Sequence, residues 1–589
     1  MRDRTKKGLI DTSKMSAGER AALEATEAAR QDRFDDRSSF AAGYFMGRPD
    51  FDRVSPFPAQ SIEDRDQGDA FLTRLWRVLS NADPDEIDAS GEIPEPVIRE
   101  LTEIGAFGIK IPHRYGGLGL SQTNYTRAAM MLGGFDANLT ALLSAHQSIG
   151  VPQPLIAFGT EAQKRRFLPR CARGDISAFA LTEAEVGSDP ARMKTTATPI
   201  DGGETYLLNG EKVWCTNVLK AGLLVVMAKV PDHGITAFIV EGDAPGVEIV
   251  RRCRFMGLRA LYNGVVHFED VRVPRENIIL GLGRGLKVAL ATLNTGRITL
   301  PAGCTGAARR CLAITRDWAR EREQWGAAIG RHAAIAEKVA RMAADTYAME
   351  SMTLLVSAMV DRDPGADIRI EAAMAKLWAT ERCWRIIDDT MQIRGGRGFE
   401  TAASLKARGE RPEPVERFMR DARINTIFEG SSEIMRLFIA REALDPHLRI
   451  GAPVLNSTLP KRERLRAAVK AGWFYLRWFP AQWVPRAVGK SKTRRQVERL
   501  SRKLARSLFY AMLRHGPKLD KQQVLLGRYV DIATELFAIT AVESRAGEAE
   551  KSQFFIDSSL LRIRRLFREL RENTDRSGYA VAQRVIAGR

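Results

Sequence analysis

The sequence is short of several features, and each shortage argues against a class of protein. Across 589 residues no apolar run approaches the roughly 18 uncharged residues a spanning helix needs, so no transmembrane segment is expected. The basic residues of the opening "MRDRTKKGLIDTSK" have no apolar segment behind them; a secretory signal is not expected, and a cytoplasmic address follows. Six cysteines (Cys171, Cys215, Cys253, Cys304, Cys311 and Cys383) form no C-x-x-C pair, and seven histidines show no H-E-x-x-H spacing. Neither a disulfide framework nor a metal site is expected. The Gly-rich stretches "GLGRGL" (281–286) and "MQIRGGRGF" (391–399) lack G-x-G-x-x-G spacing and do not lead from a strand into a helix. A nicotinamide-binding Rossmann domain is therefore disfavoured. There is no internal repeat and no low-complexity tract.

What is present has the length for three or four compact units. Residues 1–60 mix charge, Gly and Pro without periodicity and read as an irregular arm. Residues 61–177 carry helical spacing, as in "DAFLTRLWRVLSN". Residues 178–290 shorten to strand-like runs such as "GLLVVMAKV" and "GITAFIVEG", separated by D-G-G, N-G and P-G turn signals, as antiparallel strands would be. Long helical stretches return over 291–446. The predicted fold is mainly α with a middle antiparallel β domain, followed by a basic helical C-terminal domain over 447–589.

The net charge of +18 is unevenly placed: Gly451–Arg589 holds 29 Lys+Arg against 12 Asp+Glu, a net of +17. Within this module Trp473, Trp478 and Trp483 stand among Arg and Lys, and Leu500, Leu504, Leu508 and Met512 share one helical face. Cationic, aromatic-edged amphipathic helices over 461–516 suit a membrane surface. They equally suit packing against the body, and nucleic acid is the least favoured partner.

Several short segments could carry chemistry. "AFALTEAEVGSD" (178–189) runs from a strand into a loop where Thr182 and Ser188 offer hydroxyls. "NGEKVWCTN" (209–217) places Trp214 and Thr216 on alternating positions, as support for a planar ring or simply as core. "REREQWG" (320–326) sets Arg322 and Gln324 beside Trp325, either to grip a pyrophosphate or as solvated surface. In "RINTIFEGSSEI" a lone carboxylate, Glu429, follows apolar Ile427 and Phe428 and precedes Gly430 and a serine-led helix start. Apolar neighbours would disfavour its charged form and raise its pKa.

"SAHQSIG", "FALTEAEVGSD", "LNGEKVWCTN", "FEDVRVP", "LNTGR", "REQWG", "QIRGGRGF", "VERFMRDARI" and "IFEGSSEI", in that order and spacing, resemble the acyl-CoA dehydrogenase family over about residues 66–445. The added C-terminal length is most similar to the very-long-chain branch, whose extra helical domain is linked to membrane association. The resemblance implies a helical domain, a β domain and a helical bundle, with FAD between the latter two. It implies α,β-dehydrogenation of a long- or very-long-chain fatty acyl-CoA to a trans-2-enoyl-CoA, with electrons passed to electron-transferring flavoprotein.

By the same resemblance Glu429 is the proton-abstracting base. Phe179, Ala180, Leu181, Thr182 and Ser188 line the flavin, and Trp214, Cys215 and Thr216 form the strand beside its ring. Arg322, Gln324 and Trp325, with Gln392, Ile393, Arg394, Gly395 and Gly396, reach the FAD of a partner subunit, which implies a homodimer. Ser431, Ser432 and Glu433 stand at the adenine end. Ser188, Asn294, Arg297, Phe428 and Gly430 meet the acyl-CoA. Some relatives place the base immediately before the arginine of "LNTGR", where this chain has Gly296, so Glu429 is left as the candidate. Ala184 replaces the usual Pro, Cys215 and Trp325 replace Ile and Phe, and "ETAASLKARGERPEP" (400–414) is an insertion expected to form a surface excursion. Two alternatives stay open: a flavoprotein of the alkylation-response type that binds DNA through its basic domain, and an acyl-CoA oxidase.

Overall fold

The structure, a computed structural model, describes residues 39–456, 459–486, 490–545 and 547–588. The expected arm over 1–38 lies outside the described residues. The remainder of that segment is not irregular filler. Phe40, Tyr44 and Phe45, around a short helix α1 (Ala42–Phe45), are buried in the main helical core beside Phe537, because four aromatics within a dozen residues cannot remain in water. Ser39 Oγ and the Ala41 amide both donate to the buried Glu371 carboxylate, at 2.9 Å each.

The first helical unit comprises α2 (Ile62–Asn81), α3 (Pro84–Ser90), α4 (Glu95–Glu103), α5 (Gln122–Phe135), α6 (Ala137–Ser144), α7 (Pro152–Phe158) and α8 (Glu161–Ala172). Polar caps start these helices where the sequence offers them: Ser61, Asp83, Ser121 and Asp136 each accept from a first-turn amide. Between α6 and α7 one π-turn (Ala145–Ile149) carries His146 into the joint with the β unit. There the imidazole lies 3.1 Å from the Phe107 carbonyl and accepts from the Ser177 amide at 3.0 Å. Burial pushes its pKa down to about 4, so it is neutral.

The middle unit is a single sheet in the order β6-β7-β3-β2-β4-β5-β8, with β1 (Ser177–Ala180) joining β4 (Leu223–Val230) off the path. The other strands are β2 (Thr196–Ile200), β3 (Thr205–Cys215), β5 (Gly234–Glu241), β6 (Val247–Arg252), β7 (Gly264–Pro274) and β8 (Ile278–Ile279). Most pairs are antiparallel, as expected. β2 meets β4 in parallel, Thr196 opposite Lys229, and the β1–β4 pair is also parallel, with Phe179 opposite Val225. A connection of more than forty residues separates β1 from β4, so no hairpin constraint sets their direction.

The second helical unit is built on α9 (Gly285–Glu321), α10 (Ala333–Arg362), α11 (Arg369–Arg394) and α15 (Ser432–Leu455). Three short helices lie between the last two: α12 (Gly396–Phe399), α13 (Ala402–Ala407) and α14 (Val415–Ala422). The insertion is more than a loop on the surface: it contains α13, with Leu405 and Glu413 buried and Glu410 paired to Arg397.

α15 runs across the expected boundary near residue 447 into α16 (Lys461–Ala481), α17 (Lys492–His515), α18 (Gln523–Ser544), α19 (Ala549–Glu569) and α20 (Asp575–Ile586). Of these, α15, α17, α18 and α19 share one apolar core with the bundle, whereas α20 buries no residue. In α17, Leu504 and Leu508 are fully buried and Leu500 and Met512 pack against them, so that amphipathic face is covered by protein and not available to a lipid surface. Several of the module's cations are likewise engaged internally, as in Arg494 on Glu543, Arg528 on Asp575 and Arg562 on Glu535. α16 differs. Trp478 is buried, with its indole N–H donating to the Met46 carbonyl, whereas Leu465, Val469, Trp473 and Leu476 stand in water. Among the described residues no helix is long and apolar enough to cross a membrane.

Candidate active site

Glu429 sits in a turn between a single 3-10 turn (Arg423–Thr426) and α15. Its φ is +52°, a left-handed conformation that costs a non-glycine residue, and Gly430 continues the reversal at +98°. Ser431 caps α15 by accepting from the Ile434 amide. This turn directs the Glu429 side chain inward, toward α9. A Cβ added at Gly296 would lie 2.4 Å from Glu429 Oε2, so glycine at 296 leaves the space the carboxylate fills.

Glu429 Oε2 is buried with no hydrogen-bond partner, and burial pushes the carboxyl up to about 7 against the pull of Lys376 and Arg297. Arg297 is itself buried: Nη1 donates to Asn294 Oδ1 at 3.0 Å, the guanidinium stacks on Phe438, and Nε has no partner. Next to them Tyr125, Ser148 and Thr299 form a chain of hydroxyls at 2.9 and 3.0 Å.

These groups border a cavity of about 1070 Å³ between the sheet, α9 and the α14–α15 turn, at the upper end of the roughly 300–1,000 Å³ usual for ligand pockets. Phe179, Leu181, Thr182, Ser188, Trp214, Thr216, Arg297, Phe428, Glu429, Gly430 and Ser431 all line it. Strand alternation sends Ala180 and Cys215 to the opposite side, into the sheet's other core, so only their backbones can serve the cavity. Asn294 reaches it through Arg297. Ser432 is buried behind the turn with an unpartnered hydroxyl, and Glu433 faces solvent. Arg322, Gln324, Trp325, Gln392, Gly395 and Gly396 lie on the surface away from this cavity, Ile393 and Arg394 are buried beneath them, and Arg322, Arg394 and Arg397 all stack on Trp318.

The loop over the cavity is held firmly. Glu183 accepts from Lys212 Nζ (2.8 Å), Thr195 Oγ1 (2.6 Å) and the amides of Lys194 and Thr195, and these bonds hold the carboxyl down to about 2. Trp214 is at φ +54°, which turns its indole out of the strand and over the opening, where it is 59% exposed. Three further lining features were not singled out from the sequence. Asn263 donates to the Trp214 carbonyl and Thr216 Oγ1 and leaves Oδ1 unpartnered, Arg254–Met256 form the rim, and the inner end is lined by Gly133, Ala137, Thr140, Ala141, Gly303 and Ala307. A Cβ at Gly133 would lie 2.2 Å from the Gly303 carbonyl, so α5 and α9 cross at glycine.

The result is a largely apolar cavity with Trp214 at its opening, the hydroxyls of Thr182, Ser188, Thr216 and Thr299 in its lining and the Glu429 carboxyl beside them. Comparison with known proteins identifies the family. The acyl-CoA dehydrogenase N-terminal, middle and C-terminal domain descriptions match residues 77–175, 178–271 and 283–444. The chain is 49% identical over 580 residues to a probable acyl-CoA dehydrogenase FadE10 of Mycobacterium tuberculosis, covering 94% of this chain and 89% of that protein. It is 35% identical to the human mitochondrial very long-chain specific acyl-CoA dehydrogenase, covering 87% and 79%. A crystal structure of an acyl-CoA dehydrogenase complexed with FAD from Bacillus anthracis superposes with a TM-score of 0.73 at 28% identity, covering 90% and 91%. The chain belongs to the acyl-CoA dehydrogenase family and is an FAD-dependent oxidoreductase.

Proposed function

We propose that the chain dehydrogenates long- or very-long-chain fatty acyl-CoA at Cα–Cβ, with Glu429 as the base. The observation that carries this reading is the Glu429 carboxyl in the cavity lining, whose Oε2 is buried without a hydrogen-bond partner. The residues suit FAD: Trp214 can cover the ring, Thr182, Ser188 and Thr216 offer hydroxyls, and Asn263 Oδ1 and Arg297 Nε are buried polar atoms still lacking partners. When bound, FAD supplies the hydride acceptor. Glu429 takes the Cα proton, helped by burial that strengthens it as a base, and its backbone N–H donates to the thioester carbonyl. Arg297 and Lys376 limit the rise in its pKa so that an ionised fraction persists near neutrality. The small residues at the inner end leave room for a long chain. In the same reading electrons pass to electron-transferring flavoprotein. Surface Trp325 and the Arg322–Gly396 region meet a second copy to form a homodimer, and the exposed face of α16 rests on a membrane surface. Anaerobic bleaching of the flavin by palmitoyl-CoA tests the activity. Failure with every acyl-CoA offered overturns it, and peroxide formation in air would mark an oxidase.

A further inference from the structure

One buried charge beside the cavity makes a contact that its electrostatic effect on Glu429 does not explain. Lys376 lies in "EAAMAKLWAT" of α11, a stretch in which all ten residues are buried, and its side chain is fully enclosed. The ammonium donates to the Gly430 carbonyl at 2.6 Å, and no carboxylate stands within ion-pair distance of it among the described residues. Burying a cation without an anionic partner is unfavourable, and a methionine would fill the same space without that penalty. What the lysine grips is the left-handed Glu429–Gly430 turn, a conformation that persists only where its surroundings enforce it.

We propose that Lys376 is the positioning residue for the catalytic carboxylate: its ammonium clamps the Gly430 carbonyl, fixes the reversed turn that aims Glu429 into the cavity, and places a positive charge behind the base. This rests on the reading of Glu429 as the base. The charged and titratable groups facing Glu429 are Arg297 from α9, Lys376 from α11 and the Tyr125 phenol from α5, and Lys376 is in turn faced by Arg297, Cys304 and Glu381. Of the two cations, Lys376 alone is hydrogen-bonded to the turn itself.

Three variants separate the clamp from the charge. Lys376→Met removes both, Lys376→Gln keeps a donor without charge, and Lys376→Arg keeps both. Two readouts are taken on the holoenzyme. The first is the infrared band of the protonated Glu429 carboxyl without substrate, identified by its loss in Glu429→Gln and titrated with pH. The second is the anaerobic rate of flavin reduction on its high-pH plateau. The Met variant should move the titration midpoint up by about one pH unit, the size expected when one nearby opposite charge is lost. It should also slow the plateau about tenfold, since a misplacement of an ångström is enough for that. The Gln variant should shift the midpoint equally but hold the plateau within about threefold, and the Arg variant should stay near wild type in both. A midpoint unmoved in the Met and Gln variants, or a Met plateau equal to wild type, overturns the proposal. Should the Met variant fail to fold, the Gln midpoint decides alone. If Glu429 is not the base, Glu429→Gln reduces the flavin at the wild-type rate while the infrared shift in the lysine variants remains, so the two failures are distinguishable.

Discussion

Replacing Glu429 by Gln tests the chemistry and the electrostatics of the site together. Glutamine keeps the volume and the turn but cannot accept the Cα proton. A positioned base contributes about 10²–10⁴-fold, so the rate of flavin reduction by a long-chain acyl-CoA should fall by that factor in the variant. In wild type only the ionised carboxylate acts. With the group pushed up to about 7, reduction at low substrate concentration should rise about tenfold per pH unit below that value and level off above it.

The same burial has a thermodynamic consequence with a definite sign. The folded carboxyl titrates near 7 and the unfolded one near 4.5, so between these values the native state binds more protons than the unfolded chain. Stability therefore declines as pH rises through that window, with the penalty absent below it and complete above about 7. The difference corresponds to about 3 kcal/mol. Glu429→Gln should thus melt higher than wild type at about pH 8 and alike at about pH 4.5. Stopped-flow absorbance of the flavin under argon and melting scans at the two pH values read both effects. A variant that bleaches at the wild-type rate would place the base elsewhere, and an acid limb near 4.5 would show that the slot is wet.

Other perturbations follow from the same geometry. Gly296→Ala puts a methyl where the Glu429 head group lies, and should lower kcat about tenfold or more while leaving the melting temperature within a few degrees. Gly296→Glu combined with Glu429→Gly should recover part of the activity lost in Glu429→Gly alone, since the carboxylate then enters from α9. Trp478→Ala removes a side chain that is 1% exposed and should destabilise by about 3–5 kcal/mol, read as a lower melting temperature and early proteolysis of α16. Trp473→Glu with Leu476→Glu should abolish sedimentation with anionic liposomes without changing turnover of a soluble short acyl-CoA, and unchanged sedimentation would remove α16 from the membrane reading.

The catalytic region was legible because its signals are local. Glu429, Gly430 and Ser431 are contiguous, and an acid between an apolar pair and a glycine already suggests a reversed turn before a helix. Thr182 and Ser188 were legible as hydroxyls of the loop after β1, and Trp214 and Thr216 through strand alternation, which also explains why Cys215 turns away. Lys376 and Asn263 were not found because they act across 54 and 47 residues, on the Gly430 carbonyl and the Thr216 hydroxyl, and no sequence period reports such contacts. A signal for Lys376 did exist: one lysine inside an otherwise apolar helical stretch. The N-terminal segment was misread for a different reason. Phe40, Tyr44 and Phe45 show no period because they fill a groove made by other helices.

The C-terminal module marks where pattern alone stops being informative. α16 and α17 carry the same statistics, apolar residues at three and four with arginines between, yet one hides its stripe and the other presents part of it. The difference lies in what each meets. The Leu504 and Leu508 face of α17 has α18 to pack on, and α18 is apolar on nearly every side. α16 is held instead by one aromatic cluster at its C-terminal end, where Trp478, Tyr475 and Phe479 meet Phe509 and Tyr475 stacks on His447. Anchoring at that end leaves Leu465, Val469 and Trp473 with no protein to cover them, beside Arg462, Arg466 and Lys470. Part of the net of +17 is met by carboxylates of the body, as in Lys490 on Asp52, Arg545 on Glu350 and Arg562 on Asp345. The outer face of α16 is cationic and apolar together, and α20 likewise exposes Tyr579, Val581, Val585 and Ile586.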